Sequence, residues 1–166
     1  TDIVTGDTTT VSTTTAPDGH QVSTSVSTTE QATGTTTTTQ QDFDANGNVV
    51  RDLMSKTNAD GSGSEIERGT ETGPSGVTDE YTIERTQNAD GSSSFERNDQ
   101  SSDGSTSHAT GGIDADGNSS VTVSEQRADG TGVIVTRTMD ADGNGTENVT
   151  DIDANGNPIE DGDHTY

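Results

Sequence analysis

Cysteine, tryptophan and apolar residues are what this 166-residue chain most lacks. It contains no cysteine and no tryptophan, and only two tyrosines and two phenylalanines. Without cysteine there is no disulfide framework, and cysteine usage does not indicate whether the protein acts in an oxidising or a reducing compartment. Apolar residues make up 22% of the chain, whereas an average globular chain has about 45–50%. Such a composition does not bury an ordinary central core, so the chain needs another source of order.

Positive charge is equally scarce. Seven Lys and Arg residues face 30 Asp and Glu residues, which gives a formal net charge of −23. Because nucleic acids and anionic membranes are polyanions, we expect neither as a partner. No apolar run approaches the roughly 20 residues of a membrane-spanning helix, so we expect no membrane insertion.

The residues that are abundant indicate where the protein acts. Thr, Ser, Asp, Asn and Gly are frequent, and there is one lysine. This usage is typical of secreted bacterial surface proteins, so we expect an extracellular or cell-surface location. The chain starts at Thr1 without Met or a signal peptide, which indicates a mature product or a segment of a longer protein.

Twelve glycines recur at nearly constant intervals. Most of them end turn-like tetrapeptides such as DADG, NADG and DANG, at steps of 13 to 15 residues, with five successive steps of 13 after Gly91. A fixed period of this kind is typical of a repeat architecture. The twelve are Gly6, Gly19, Gly34, Gly47, Gly61, Gly76, Gly91, Gly104, Gly117, Gly130, Gly143 and Gly156.

The repeated tetrapeptides have the chemistry of a hairpin turn. An Asx side chain can bond the backbone two residues further on, Ala or Pro accepts the helical φ, and Gly takes a positive φ. A type I turn followed by such a glycine forms a three-residue hairpin loop with a G1 bulge. The segments of about eight residues between turns are rich in Thr, Val, Ile and Ser, which suit strands.

Pairing outward from these turns predicts a register. It sets Met54 opposite Ile66, Asp52 opposite Arg68, and Arg137 opposite Glu147. One predicted row is Ala109, Val123, Val135 and Val149, and its neighbour is Thr110, Thr122, Thr136 and Asn148. An apolar row beside a threonine row is what an antiparallel meander provides. The stretch 79–100 fits less well, because Glu84 faces Glu96.

The fold class is therefore all-β. We expect about twelve short strands in a repetitive antiparallel hairpin meander, with a β-solenoid as the alternative, since no apolar 3.6-residue period persists. The chain forms one repetitive domain, with regular hairpins over 41–166. Residues 1–40 contain 17 Thr and are expected to be an edge or linker. A polar single sheet has no second layer, so curling, packing between copies or metal ions must stabilise it.

One repeat has the spacing of a calcium loop. In DADGNGTENVTD, Asp140, Asp142 and Asn144 occupy positions 1, 3 and 5, Asn148 position 9 and Asp151 position 12. These are the positions at which EF-type loops place oxygen ligands. The segment 140–151 resembles the calcium loops of dockerins, which implies Ca²⁺ as a bound ion. Dockerin loops precede a helix, and nothing after Asp151 is helical, so we expect any ion at a hairpin tip with ligands from a neighbouring turn.

The same frame recurs in two incomplete copies. The first has Asp42, Asp44 and Asn46, and the second has Asp151, Asp153 and Asn155, but position 12 is Leu53 in one and Gly162 in the other. The alternative is that these residues only form tight turns, since any G1-bulge hairpin uses Asx-Ala-Asx-Gly. The calcium and pure-turn interpretations both stay open.

Other motifs point to the cell surface and not to catalysis. FDANGNVV at 43–50 resembles the tyrosine–aspartate repeats of bacterial Rhs-type shells, which implies a string of β-hairpins. Asn118, Asn144 and Asn148 begin N-glycosylation sequons, and the N-terminal threonines are candidates for O-linked glycans. His20, His108 and His164 lack the spacing of a triad or metal site, so we expect no enzyme activity.

These patterns favour an extracellular structural repeat protein. We expect a subunit or segment of a bacterial surface filament, adhesin stalk or biofilm-matrix fibre, in which copies associate by β-strand contacts. The alternative is a surface module that binds calcium, mineral or ice through its acidic or threonine rows.

Overall fold

The computed structural model describes residues 6–159 and the backbone of residues 164–165, and this part of the chain is all β-structure. It contains no helix that is long and apolar enough to cross a membrane. The strands are β1 (Thr8–Thr15), β2 (Gln21–Thr29), β3 (Thr36–Phe43), β4 (Val49–Thr57), β5 (Gly63–Thr72), β6 (Thr78–Gln87), β7 (Ser93–Ser101), β8 (Thr106–Ile113), β9 (Ser119–Gln126), β10 (Gly132–Met139), β11 (Gly145–Ile152), β12 (Pro158–Ile159) and β13 (His164–Thr165).

The strands form a single antiparallel sheet in chain order. Each of the strands β1 to β12 pairs with its sequence neighbours, and β13 returns to pair with β11. Across the described residues, no strand contacts any strand other than those it pairs with. The predicted hairpin meander is therefore confirmed, and the solenoid alternative, which needs stacked layers, is not what the chain forms.

The turn glycines account for this regularity. All twelve glycines of the predicted series have a positive φ, between 68° and 93°, and they are the only positive-φ residues described. In the turn before β11, Asp140 donates its N–H to the Asn144 carbonyl (2.8 Å), and Gly143 donates to the Asp140 carbonyl (3.0 Å). This pattern is the predicted three-residue hairpin loop with its glycine bulge.

The register agrees with the pairing rule at each tested position. Val135 lies between Val123 and Val149, and Met54 is opposite Ile66. Arg137 is opposite Glu147, and Asp52 is opposite Arg68. Glu84 does face Glu96, and Glu96 is exposed and bonded to Asn98 and His108. The pKa of Glu96 is held below its usual value, first by the Asn98 amide.

The sheet has almost no core. Tyr81 and Ile83 are the only buried apolar residues that the structure describes, and Glu67 is the only buried polar one. Because side chains alternate between faces along each strand, the cross-strand partners place all three on one face, termed here the Glu67 face. The predicted apolar row lies on this face too, and it continues through Arg97 and Ile83 to Glu67.

The two ends of the sheet differ. Residues 8–40 belong to strands β1 to β3 and their turns, with β1 as the outermost strand and exposed along its whole length. At the opposite end the outer side of β11 is partly covered, because β12 pairs near Asp151 and β13 pairs near Thr146. β12 begins with Pro158, which has no N–H to offer a further strand.

Candidate functional site

The hairpin turns lie in two columns, one along each margin of the sheet. Successive turns of a meander alternate between the margins, so every second turn belongs to the same column. The first margin carries the turns at 30–35, 58–62, 88–92, 114–118 and 140–144. The second margin carries the turns at 16–20, 44–48, 73–77, 101–105, 127–131 and 153–157. Most of the predicted metal ligands lie in these turns.

One class of turn is closed by an aspartate at its first position. The Asp140 carboxylate accepts the backbone N–H of Asp142 (3.0 Å) and of Asn144 (2.8 Å), and the Asn144 side-chain amide donates to its second oxygen (2.9 Å). The Asn144 amide is the main reason that the pKa of Asp140 lies below its usual value. The same arrangement recurs at Asp44 with Asn48, Asp114 with Asn118 and Asp153 with Asn157.

A second class uses an aspartate at its third position. The Asp90 carboxylate accepts the Ser92 backbone N–H (2.9 Å) and the Ser92 hydroxyl (2.7 Å), and this hydroxyl lowers the pKa of Asp90. Asp60 with Ser62, Asp103 with Ser105 and Asp129 with Thr131 repeat the arrangement. The two classes differ in sequence at the residue after the glycine, which is Asn in the first and Ser or Thr in the second. This signal was available in the sequence but is absent from the prediction.

The structure brings together three of the five residues predicted to form the best calcium loop. Asp140, Asp142 and Asn144 share one turn, but Asn148 and Asp151 lie along β11. Asp151 lies seven positions after Asn144, which is about 23 Å in an extended strand. A calcium ion binds its oxygens at about 2.3–2.6 Å, so one ion does not reach both ends of β11 in this conformation.

The two incomplete copies are divided in the same way. Asp44 and Asn46 share one turn, and Asp153 and Asn155 share another. Asp42 instead lies in β3, where its carboxylate pairs with the Arg51 guanidinium at 3.1 Å. Gly162 lies outside the described residues. Within those residues, no three His, Cys, Asp or Glu side chains converge where they could hold a metal ion, and calcium binding stays a prediction.

Neighbouring turns of a column pack on each other. A Cβ placed on Gly117 would lie 3.4 Å from the Cβ of Ala141, and one on Gly130 would lie 2.9 Å from the Ala154 carbonyl oxygen. Ala141 also donates its N–H to the Asn118 side-chain oxygen (3.3 Å). The small alanine at the second turn position thus allows one turn to approach the glycine of the turn before it.

A cluster of charged side chains occupies the middle of the Glu67 face. Glu67 is 9% exposed and accepts hydrogen bonds from Arg51 Nε (2.7 Å), the Tyr81 hydroxyl (2.9 Å) and Arg85 Nη1 (3.4 Å). Arg51 also pairs with Asp42, and Arg85 with Glu65. These donors, Arg51 first, hold the pKa of Glu67 at about 2, well below its ordinary value of 4.5.

Both aromatic residues at the centre of the sheet lie over a glycine of the adjacent strand. Tyr81 is opposite Gly69, where an added Cβ would come within 2.7 Å of the ring, and Phe95 is opposite Gly111, with a corresponding distance of 2.8 Å. The Arg97 guanidinium lies 5.1 Å from the centre of the Tyr81 ring, within cation–π range. Each ring therefore covers the backbone of the glycine opposite it, which has no side chain of its own.

Two histidines make local polar contacts. His20 contacts Asp18 within the first turn, and His108 contacts Glu96 at 3.2 Å across β7 and β8. Asp18, Glu96 and His108 are exposed to solvent, and His20 is partly exposed. The side chain of His164 lies outside the described residues.

No protein-family model, curated protein or solved structure matches this chain. The resemblances to dockerin loops and to Rhs-type repeats therefore rest on residues 140–151 and 43–50 of the sequence alone.

Proposed function

We propose that this chain is a structural segment of an extracellular fibre, such as a surface filament, an adhesin stalk or a biofilm-matrix strand, in which copies associate through β-strand contacts. The observation that supports this proposal best is the one-layer sheet, whose described strands contact only the strands they pair with. As in solenoid repeat proteins, the free energy of unfolding of such a sheet is approximately a sum of contributions from each hairpin and from each contact between neighbouring hairpins. Further hairpins can therefore be added to the sheet without any change to a central core.

The dimensions suit a spacer more than a pocket-bearing domain. Twelve strands spaced about 4.8 Å apart, each about 30 Å long, form a ribbon about 50 Å long, about 30 Å wide and one layer thick. The exposed aspartates of the turns lie along both margins of the ribbon. Together with the net charge of −23, they oppose stacking of ribbons side by side or face to face. Charge repulsion is then weakest when copies associate through the strand edges at the ends of the ribbon.

The proposal is tested by negative-stain electron microscopy over a range of protein concentrations, with calcium and with EDTA. Filaments or end-joined ribbons that lengthen as the concentration rises are expected. Only small, monodisperse particles at every concentration, in both buffers, would contradict the proposal. An extracellular location is tested separately, by immunogold labelling of intact cells with an antibody raised against this chain.

Calcium binding is the second candidate function, because two acidic turns pack together. Asp114 and Asp116 lie in one turn and Asp140 and Asp142 in the next turn of the same column, with Gly117 against Ala141. A divalent ion between these tips would offset the repulsion among four carboxylates. Calcium is then expected to raise the melting temperature by several degrees, and an unchanged melt in EDTA would remove this candidate. Mineral and ice lattices are alternative ligands for the same acidic and threonine rows.

A further inference from the structure

Among the described residues no strand pairs with the outer edge of β1, and β1 has none of the features that normally protect an edge. Its eight residues, TTTVSTTT, include no charged residue and no proline, and all are exposed. Val11 is the most exposed large apolar residue described, at 65%. Protected edges carry Lys, Pro, bulges or short strands, and at the opposite end of this sheet β12 begins with Pro158. The two ends are therefore not equivalent.

The sequence of β1 is close to symmetric about Val11. Reversing it with Val11 as the centre places Ser12 opposite Thr10, Thr13 opposite Thr9 and Thr14 opposite Thr8. We propose that the outer edge of β1 pairs antiparallel with β1 of a second copy, across a two-fold axis that sets Val11 opposite Val11. This inference rests on the proposed function in that it specifies one of the joints between copies.

Strand β2 shows that this pairing suits β1. Within the chain, Val11 is opposite Val26, Thr10 opposite Ser27, and Thr9 opposite Thr28. A second β1 would offer Val11, Ser12 and Thr13 at the same three places, so the chemistry of each pair is reproduced. The apolar contact between Val11 and Val26 would extend to a third valine, which covers the most exposed apolar side chain.

The backbone groups needed for this ladder point outward. Ala16 donates its N–H to His20 on the β2 side, and N–H groups of alternate residues in a strand point the same way. The register shift near Thr15 adds its extra residue on β2 and not on β1. Thr10, Ser12 and Thr14 thus bond to β2, while the amides of Thr9, Val11 and Thr13 face the open edge.

Charge favours the same joint. Strands β1 and β2 contain no ionisable side chain, whereas the chain as a whole carries a net charge of −23. Two copies that meet through β1 bring together their least charged ends, so repulsion between them is smallest in this orientation. This joint alone produces a two-fold dimer, and a linear fibre needs a second contact between copies in addition to it.

Disulfide trapping tests the joint and its register, because the chain has no native cysteine. In Val11→Cys the two thiols lie across one ladder position, at a Cα separation of about 5.5 Å that a disulfide spans. Under mild oxidation this variant is expected to form a covalent dimer. In Thr13→Cys the two thiols lie four positions apart, roughly 13 Å, so little dimer is expected. Equal trapping of both variants, or trapping of neither, would overturn the proposal.

A charge-pair series gives a second readout by sedimentation velocity. Thr9 of one copy faces Thr13 of the other, so T9K/T13K sets like charges opposite each other at two places, and T9K/T13E sets opposite charges there. We expect T9K/T13K to weaken the dimer roughly tenfold relative to T9K/T13E, although it makes the chain less negative overall. Circular dichroism checks that both variants fold. Equal association of the two variants, or a wild-type chain that stays monomeric up to about 1 mM, would contradict the proposal.

These outcomes separate the joint from the broader function. Filaments that persist in T9K/T13K, without disulfide trapping of the Val11→Cys variant, would overturn the β1 joint and leave the fibre proposal standing. A covalent dimer of the Val11→Cys variant that never lengthens would support the joint and count against the fibre.

Discussion

At the scale of single residues, Glu67 performs a task that apolar side chains perform in most sheets. It receives Arg51 from β4, Tyr81 from β6 and Arg85 from the same strand as Tyr81, and so joins three adjacent strands. Glu67 is buried while its arginine partners are partly exposed, and a buried carboxylate is stabilising only while its partners are present, since a lone buried charge is costly. The cluster is therefore expected to be sensitive to removal of the carboxylate.

Glu67→Gln is expected to lower the free energy of unfolding at pH 7 by about 3 kcal/mol, because it removes the carboxylate whose bonds with Arg51 and Tyr81 hold the pKa of Glu67 at about 2 instead of 4.5. Urea denaturation followed by circular dichroism measures the loss. Glu84→Gln is the matched control: Glu84 is exposed and faces Glu96, so this change should be neutral or slightly stabilising.

The difference between wild type and Glu67→Gln should also depend on pH. A lowered pKa in the folded state contributes stability that is complete above 4.5 and is lost as the pH falls toward 2. The two stability curves should therefore converge between pH 4.5 and pH 2. Parallel curves over this range would show that the Glu67 charge does not contribute in the way described.

The two aspartates of the turn at 140–144 should differ in their roles. Asp140→Ala removes the acceptor of three turn hydrogen bonds and should lower the melting temperature without calcium. Asp142 contributes its backbone N–H to this turn, so Asp142→Ala should melt like the wild type in EDTA but lose any stabilisation by calcium. Equal melting of the two variants in EDTA would contradict this division.

At the scale of strands and turns, much of the fold follows from the sequence. The positive-φ glycines, the hairpin type and the pairings of Val135, Met54 and Arg137 are all fixed by local turn chemistry, which is readable in the sequence. The cluster at Glu67 is not readable in this way, because it depends on which long side chains on one face reach each other. The calcium frame differs in that its residues 145–151 lie along the extended strand β11, and calcium binding stays a prediction.

Gly69→Ala tests the packing of Tyr81 on the adjacent strand. The new Cβ would come within 2.7 Å of the ring, so the ring must move away from Glu67, and we expect a loss of about 1–3 kcal/mol. Gly73→Ala is the control, since its Cβ would meet only ordinary contacts at 3.8 Å and its φ is not positive. Thermal unfolding of both variants gives the comparison, and equal stability would show that Tyr81 does not need Gly69.

At the scale of the whole molecule, a ribbon of nearest-neighbour contacts should unfold in steps. The described strands have no contacts beyond the strands they pair with, so a hairpin removed from one end leaves the remainder intact. Pulling on the two chain ends should therefore release units of about 26 residues, or roughly 90 Å of extended chain. One cooperative rupture of the entire chain would contradict a one-layer ribbon.

Amide hydrogen exchange in β1, measured residue by residue by NMR as a function of protein concentration, tests most directly the claim that copies join through strand edges. The amides of Thr10 and Ser12 bond to β2 and should be protected at every concentration, whereas those of Thr9, Val11 and Thr13 face outward. The outward amides are expected to exchange freely in dilute solution and to become protected as the concentration rises. Fast exchange of Thr9, Val11 and Thr13 at every concentration would contradict association through this edge.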